Sequence, residues 1–246
     1  LFLGDGCSSA RNTDIGSRIL TLLAKKYFNG YSSGRYTIND FFDKIVHSAD
    51  NVANLLDLST ESLFSTLVIL DSNGYCGNIN LFMTGDGIAA FIRHDGTIDI
   101  YDIEFSAQAP KYLAYRLSEK YEQQFSEICG NYRNITTFSI KNGGVENKKV
   151  STEVNNYKDL KWFRIKKEDY KIAVIMSDGV KSFINRDSSP LDYSAVLEQV
   201  LDFKQLTPNF VKRRCSRLIK EFEKNDITHY DDFSVAAIVI DQNGTI

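Results

Sequence analysis

The chain has no apolar run approaching the roughly 20 residues that a membrane-spanning helix needs, and no segment patterned as a signal peptide. Its four cysteines, Cys7, Cys76, Cys129 and Cys215, show neither C-x-x-C spacing nor the density of a disulfide framework, so they read as reduced thiols of a cytoplasmic protein. Histidine is scarce, with three residues. His47 and His94 have no motif around them, and a His/Cys zinc cage has no sequence basis. Charge of either sign is nearly balanced, 29 basic against 32 acidic residues for a net charge of −3, which leaves no global field to recruit nucleic acid or anionic membrane. The densest basic run, Lys212-Arg213-Arg214 with Arg217 and Lys220, falls on an expected helix and reads as a solvated face. Internal repeats and low-complexity tracts are missing too.

What remains is an ordinary globular composition, 43% hydrophobic and 12% aromatic over 246 residues, with no compositional shift that asks for a boundary. A single domain spanning 1–246 is expected. Because the chain opens on Leu1 inside an apolar run, without methionine, the natural polypeptide is expected to begin upstream.

Aspartate-glycine pairs at the ends of apolar runs organise the sequence. Leu1 to Leu20, LFLGDGCSSARNTDIGSRIL, breaks at Gly4-Asp5-Gly6 and turns into a helix. NLFMTGDG places Asp86 after a second run, and IAVIMSDGV places Asp178 and Gly179 after a third. Asp231 and Asp232 immediately precede FSVAAIVI. A carboxylate between glycines at a strand end lets backbone approach closely and leaves its oxygens open to a cation. Brought together, such acids form an all-oxygen set suited to Mg or Mn. Taken singly each Asp-Gly is an ordinary turn pair, and Asp95-Gly96 is expected to be only that.

Periodicity supplies the rest. A helix is expected from about Ile15 to Phe28, capped by Asp14 and burying Ile15, Ile19, Leu22 and Leu23, and ended by Gly30 and Ser32 to Gly34. A second runs from Asn39 or Asp40 through Leu56, carrying Phe41, Phe42, Ile45, Val46, Val52, Leu55 and Leu56. Strands follow at Ser65 to Leu70, Gly77 to Thr84, Ile88 to Arg93 and Thr97 to Glu104, with turns at Asp71 to Gly74 and Asp95-Gly96. Residues 108–124 are ambiguous. Asn131 to Ile140 alternates as a strand, and Lys141 to Asn156, the most polar segment, reads as a mobile loop. Trp162 to Ile165 and Lys171 to Met176 are strands, the second apolar throughout and therefore interior. Helices at about Leu191 to Phe203 and Asn209 to Lys224 and a last strand at Phe233 to Ile240 close the chain. The pattern reaches an α+β fold with a large antiparallel sheet system.

The ordered set GDG, GDG, SDG and DD resembles the metal-dependent protein serine/threonine phosphatases of the PP2C family. Asp5 to Leu20 is most similar to the bacterial form of the first motif, with Asp14 in place of the usual Glu and Ser17-Arg18 matching directly. The resemblance runs from Asp5 to Ile240. It implies a four-layer α-β-β-α sandwich of two mostly antiparallel sheets flanked by helices, with strands N-terminal to the present chain missing. It also implies hydrolysis of phosphoserine and phosphothreonine in proteins by a metal-bridging hydroxide, without a phosphoenzyme, using two Mn2+ or Mg2+ ions. Asp5 would bridge them, the Gly6 carbonyl would complete the second, and Asp178 and Asp231 would hold the first. Asp232, where the family often has Asn, and Asp86 are further candidates; Ser182 replaces the acid expected to help Asp86 hold a third ion. His229, two residues before Asp231, is a candidate proton donor.

The departures are Cys7 where eukaryotic relatives carry histidine, Ser8-Ser9 where a glycine pair is usual, and the acidic ligand and phosphate-binding arginine that the family takes from strands before the first Asp-Gly. They keep open an alternative, a catalytically impaired regulatory module that binds a partner. A carboxylate-metal nuclease is disfavoured by the absence of a basic channel. The implied partners are a phosphorylated protein and the Ser/Thr kinase that opposes it.

Overall fold

The computed structural model describes residues 1–74, 77–106, 110–129, 132–154 and 160–240. In chain order the elements are β1 (Phe2–Gly6), α1 (Thr13–Ser32), α2 (Ile38–Leu55), β2 (Ser65–Gly74), β3 (Asn78–Thr84), β4 (Gly87–Arg93), β5 (Ile98–Phe105), α3 (Glu119–Cys129), β6 (Tyr132–Lys141), β7 (Gly144–Val154), β8 (Lys161–Lys166), β9 (Tyr170–Met176), β10 (Phe183–Ile184), α4 (Tyr193–Leu201), α5 (Phe210–Lys224), β11 (Thr228–His229) and β12 (Val235–Val239). The fold is α+β with mostly antiparallel sheets, as expected: one sheet in the order β1-β2-β3-β8, one in the order β12-β9-β4-β5-β6-β7, and the short pair β10-β11. Among the described residues no helix is long and apolar enough to cross a membrane.

The chain divides into two compact units. The first comprises Leu1–Gly87, Ile103–Ile135 and Ser151–Lys166, and the second Ile88–Asp102, Thr136–Val150 and Lys167–Ile246. In the first, α1 and α2 lie on the β1-β2-β3-β8 sheet over a core that includes Leu20, Phe41, Phe42, Ile45, Leu67, Ile69 and Phe82. The second packs α4 and α5 on β4 and β9 over Ile88, Ala90, Val174, Met176, Leu197 and Leu218.

Of the residues expected on the inward face of α1, Ile19 and Leu23 pack against the core beside the fully buried Leu20, but Ile15 and Leu22 do not. Ile15 and Leu22 are 38% and 67% exposed, whereas Thr13, Gly16, Ser17, Leu20 and Ala24 are buried. The reason is proximity: a Cβ on Gly16 would stand 1.8 Å from the Ser62 carbonyl oxygen and one on Gly4 3.1 Å from the Ser17 carbonyl oxygen. Backbone this close to backbone admits only small side chains on the contact face. The helix also starts earlier than expected. Asn12, in the left-handed conformation, is its N-cap, and Asp14 sits in the first turn, where a carboxylate meets the positive end of the helix dipole.

Helix α2 opens on a reciprocal capping box: the Asp40 N–H donates to Thr37 Oγ1 at 3.2 Å and the Thr37 N–H to Asp40 Oδ2 at 3.1 Å. Its apolar stripe runs as expected to Val46, but Leu55 and Leu56, at the frayed end, are exposed.

Two expectations need larger correction. Asp71 to Gly74 is not a turn; β2 continues through it with a register shift against β3. Lys141 to Val154 is not a loop but a hairpin, turned at Asn142 and Gly143, both at positive φ (52° and 78°). Strand β7 is exposed along nearly its whole length, so no hydrophobic alternation marks it; Asn155 and Asn156 lie outside the described residues. The Asp95-Gly96 turn is as expected, closed by Arg93 N–H to the Thr97 carbonyl at 2.8 Å. In the ambiguous stretch the described part forms a short 3-10 turn, Leu113–Leu117, and α3.

A hydrogen bond in the first unit gives a pH test of this packing. The Tyr121 hydroxyl donates to Glu61 Oε1 at 2.6 Å. That bond holds the Glu61 carboxyl below its usual range and pushes Tyr121 up to about 12. A depressed carboxylate stabilises the fold above its unfolded pKa and stops doing so as pH falls through the folded value. A raised phenol stabilises below its unfolded pKa, near 10, and stops as pH rises through the folded one. Both side chains are half-buried, and one hydrogen bond of this kind is worth about 1 kcal/mol. Tyr121→Phe is therefore expected to cost a small, constant stability from about pH 5 to about pH 10, with the difference shrinking at both extremes. Urea melts of both proteins across that range measure it.

Candidate functional site

In the first unit, β1 lies antiparallel to β2 with Asp5 opposite Thr66 and Gly6 opposite Ser65. β2 in turn pairs with β3 so that Leu67 faces Thr84. Asp5, Thr66 and Gly85 therefore fall at one end of this sheet, and Asp86 follows directly. Glycine is required after Asp5, at Gly6, though not for access alone. A Cβ on Gly6 would lie 2.7 Å from the Thr13 carbonyl group, so the start of α1 is pressed onto the strand end. Gly85, at φ 81°, brings its backbone against Thr66.

The turn after Gly6 is pinned from several sides. Cys7 N–H donates to the Phe64 carbonyl at 2.9 Å, and Thr13 Oγ1 donates to the Cys7 carbonyl at 2.9 Å. The Cys7 thiol and Ser9 hydroxyl are 2.9 Å apart. Tyr112, buried and stacked on Phe64, is also hydrogen-bonded to Cys7; burial, that bond and the charges of Cys7 and Asp86 push its phenol up. Of the four cysteines, Cys7 and Cys215 are free thiols. Cys76 and the Cys129 side chain lie outside the described residues.

In the second unit Asp178 directly follows Ser177 at the end of β9, and Asp231 and Asp232 precede β12, which pairs antiparallel with β9, Val235 facing Met176. The two acidic turns are thus neighbours. Three bonds of Ser177 fasten them: its N–H donates to the Ser234 carbonyl at 3.0 Å, its hydroxyl donates to the Asp232 carbonyl at 3.2 Å, and the same hydroxyl accepts from Ser234 N–H at 3.0 Å. The buried Ser182 hydroxyl donates to the Gly179 carbonyl at 2.7 Å and reaches the Asp231 carbonyl at 3.5 Å. At the position that sequence alone treats as a lost metal ligand, this serine stitches the two turns.

Asp178 is half-buried and Asp231 and Asp232 are exposed. Asp231 Oδ1 accepts from Asp232 N–H at 2.9 Å. His229 pairs with Phe183 in the β10-β11 ribbon, and its Nδ1–H donates to the Asp231 carbonyl at 2.9 Å. That bond assigns the proton of the neutral ring to Nδ1.

Each unit therefore gathers its own acidic turns, Asp5 with Asp86 and Asp178 with Asp231 and Asp232. Among the described residues, no group of three or more His, Cys, Asp or Glu side chains forms a ready-made metal cage. The donors on offer, carboxylates and the Gly6 carbonyl, are hard oxygens that match Mg or Mn and not a thiophilic ion. Sequence reasoning missed Tyr112 and Ser177, because a tyrosine remote from the motif and a serine before Asp-Gly carry no signal until strand pairing is known.

The family model for protein phosphatase 2C matches residues 1–218, and the chain belongs to that family. Asp231 and Asp232 lie beyond the matched span. Among solved structures, a bacterial serine phosphatase carrying a point mutation is similar at a TM-score of 0.53 and 14% identity, covering 98% of this chain and 85% of that one. PppA, described as a key regulatory component of T6SS in Pseudomonas aeruginosa, is similar at a TM-score of 0.46 and 13% identity, covering 97% and 85%. No curated protein matches the sequence.

Proposed function

We propose that this protein, with residues 1–246 acting as one domain, is a Mg- or Mn-dependent phosphatase that removes phosphate from serine and threonine side chains of proteins. The observation that carries this reading is the family match across residues 1–218, which takes in the Asp-Gly turns at Asp5, Asp86 and Asp178. The proposed metal ligands are Asp5, as the bridging carboxylate, the Gly6 carbonyl, Asp178 and Asp231. Asp86, Asp232 and His229 are further candidates. A pair of divalent ions held by these residues would supply an acidified water and charge neutralisation at the phosphoryl group, so that no covalent enzyme–phosphate would be needed.

The chain's own residues hold this arrangement in place. Ser177 and Ser182 fix the Asp178 turn against the Asp231-Asp232 turn. Thr13 and Tyr112 fix the turn that follows Asp5 and Gly6. Because Nδ1–H of His229 is committed to the Asp231 carbonyl, Nε2 is the atom from which a protonated His229 would deliver a proton.

The test is phosphate release from phosphoserine, phosphothreonine and phosphotyrosine peptides during a manganese titration. Release is expected to require Mn or Mg, to stop on chelation, and to favour the serine and threonine peptides. Release that persists undiminished in excess chelator sinks the reading. A second reading, a partner-binding module without catalysis, is favoured by the departures from the family motif at Cys7, Ser8, Ser9 and Ser182. Its signature is no release and no calorimetric uptake of Mn.

A further inference from the structure

Within the second unit, the segment Asp202-Phe203-Lys204 separates two adjoining clefts. The larger, about 460 Å³, has Ile92, Ile98, Ile172 and Phe203 on its wall together with the carboxylates of Glu198 and Asp202. The smaller, about 140 Å³, is lined by Phe203 and Phe210 and by the cations Lys204, Arg213, Arg214 and Arg217, with Asp202 the acid on its wall. Phe203 and Phe210 meet edge to face at 4.9 Å, so one aromatic wall serves both compartments.

Two of the guanidinium groups are held by neutral oxygens, while Lys204 forms an exposed ion pair with Asp202 at 2.8 Å. Arg213 donates to the Thr207 hydroxyl at 2.6 Å and to the Pro208 carbonyl, and Arg214 Nε donates to the Gln199 carbonyl at 2.6 Å. Carbonyl and hydroxyl partners fix the side chains without cancelling their charge. The nearest carboxylate to Arg214, from Glu221, stands at 3.8 Å. In a chain of net charge −3 the four cations of the smaller cleft outnumber the single acid on its wall, Asp202, and make a local positive field; two of them, Arg213 and Arg214, are already oriented, which lowers the ordering cost of binding an anion. The basic run that sequence alone assigns to solvent is in part the wall of a cleft.

We propose that the double cleft docks an acidic peptide segment of the phosphoprotein substrate, an apolar side chain entering the larger compartment and neighbouring carboxylates facing Arg217 and Lys204. The proposal rests on the phosphatase reading of Asp178. Lys171 and Ile172, on the wall of the larger cleft, begin β9, and Asp178 follows its end. At about 3.3 Å per strand residue the two lie roughly 20 Å apart. A substrate occupying both therefore needs a spacing of at least about six extended residues between its acidic segment and its phosphoserine.

The experiment uses the whole chain and two fluorescein-labelled phosphoserine peptides. One carries Glu-Leu-Glu-Glu about eight residues from the phosphoserine; the other has Gln in place of each Glu. Fluorescence anisotropy without added metal is expected to show about tenfold tighter binding of the acidic peptide at low salt, a preference that fades as salt rises. Lys204→Glu with Arg217→Glu, both at exposed positions, is expected to abolish that preference. The double variant is also expected to raise KM for the acidic peptide while leaving kcat and the hydrolysis of p-nitrophenyl phosphate unchanged. Equal binding of the two peptides, or a preference that survives in the double variant, overturns the proposal. An intact, variant-sensitive preference with no phosphate release from any peptide upholds the docking cleft and counts against the phosphatase reading alone.

Discussion

Asp178→Asn is expected to lower phosphate release by about a thousandfold or more, the rate equivalent of the several kcal/mol that metal-assisted charge stabilisation supplies. The substitution keeps the shape of the side chain and its capacity to accept hydrogen bonds, and it removes the charge. A neutral amide is a far poorer ligand for a hard divalent cation than a carboxylate, so the same variant should need much more manganese for whatever activity remains.

Asp95→Asn is the informative control. Asp95 also precedes a glycine after an apolar run, but its carboxylate accepts from the Thr97 N–H at 2.9 Å inside a hairpin turn, and that bond draws its carboxyl below the usual range. Its loss should leave catalysis untouched. Two Asp-Gly pairs with the same local grammar would then separate by about three orders of magnitude in rate. Equal activity of Asp178→Asn and the unaltered protein would remove Asp178 from the ligand set and the function with it.

The comparison shows which kinds of information a sequence carries. The strand ends were legible because a buried strand leaves an uninterrupted apolar run, and the turn that ends it needs small or acidic residues: Met176-Ser177-Asp178-Gly179 and Thr84-Gly85-Asp86-Gly87 both announce themselves. The inward face of α1 was legible only in part, through Ile19 and Leu23. Hydrophobic periodicity counts apolar volume, whereas the packing of α1 against Ser62 and Gly4 is so close that Gly16 and Ser17 occupy the contact and Ile15 and Leu22 are left outside. Strand β7 was missed for the opposite reason. With both faces exposed it has no alternation to read, and only the Asn142-Gly143 dipeptide marked its hairpin. In the site, the four acidic points were visible one by one. That Ser177 and Ser182 join two of them depends on the pairing of β9 with β12, a contact across more than fifty residues that no local pattern records.

Gly179→Ala should damage stability and site together. A Cβ at that position would stand 1.9 Å from the Asp232 carbonyl oxygen and 2.6 Å from its carbon. The obstacle is backbone, which cannot rotate aside as a side chain can, so either the end of β9 or the segment before β12 must move. Overpacking of this kind costs about 1–3 kcal/mol and occasionally more. Displacing the Asp232 carbonyl also breaks its bond from the Ser177 hydroxyl, and each such bond is worth about 0.5–1.5 kcal/mol. A loss of about 3 kcal/mol is expected in urea unfolding. Specific activity of the folded fraction should fall as well, since the movement parts Asp178 from the Asp231-Asp232 turn. Gly144→Ala calibrates the measurement: a Cβ there would meet its nearest neighbour, the Lys141 carbonyl oxygen, at an ordinary 3.6 Å, and neither stability nor activity should change appreciably. Should Gly179→Ala prove as stable and as active as Gly144→Ala, the close approach of the two acidic turns would not be what holds this end of the sheet, and Asp178 and Asp231 would have to be treated as separate features of the surface.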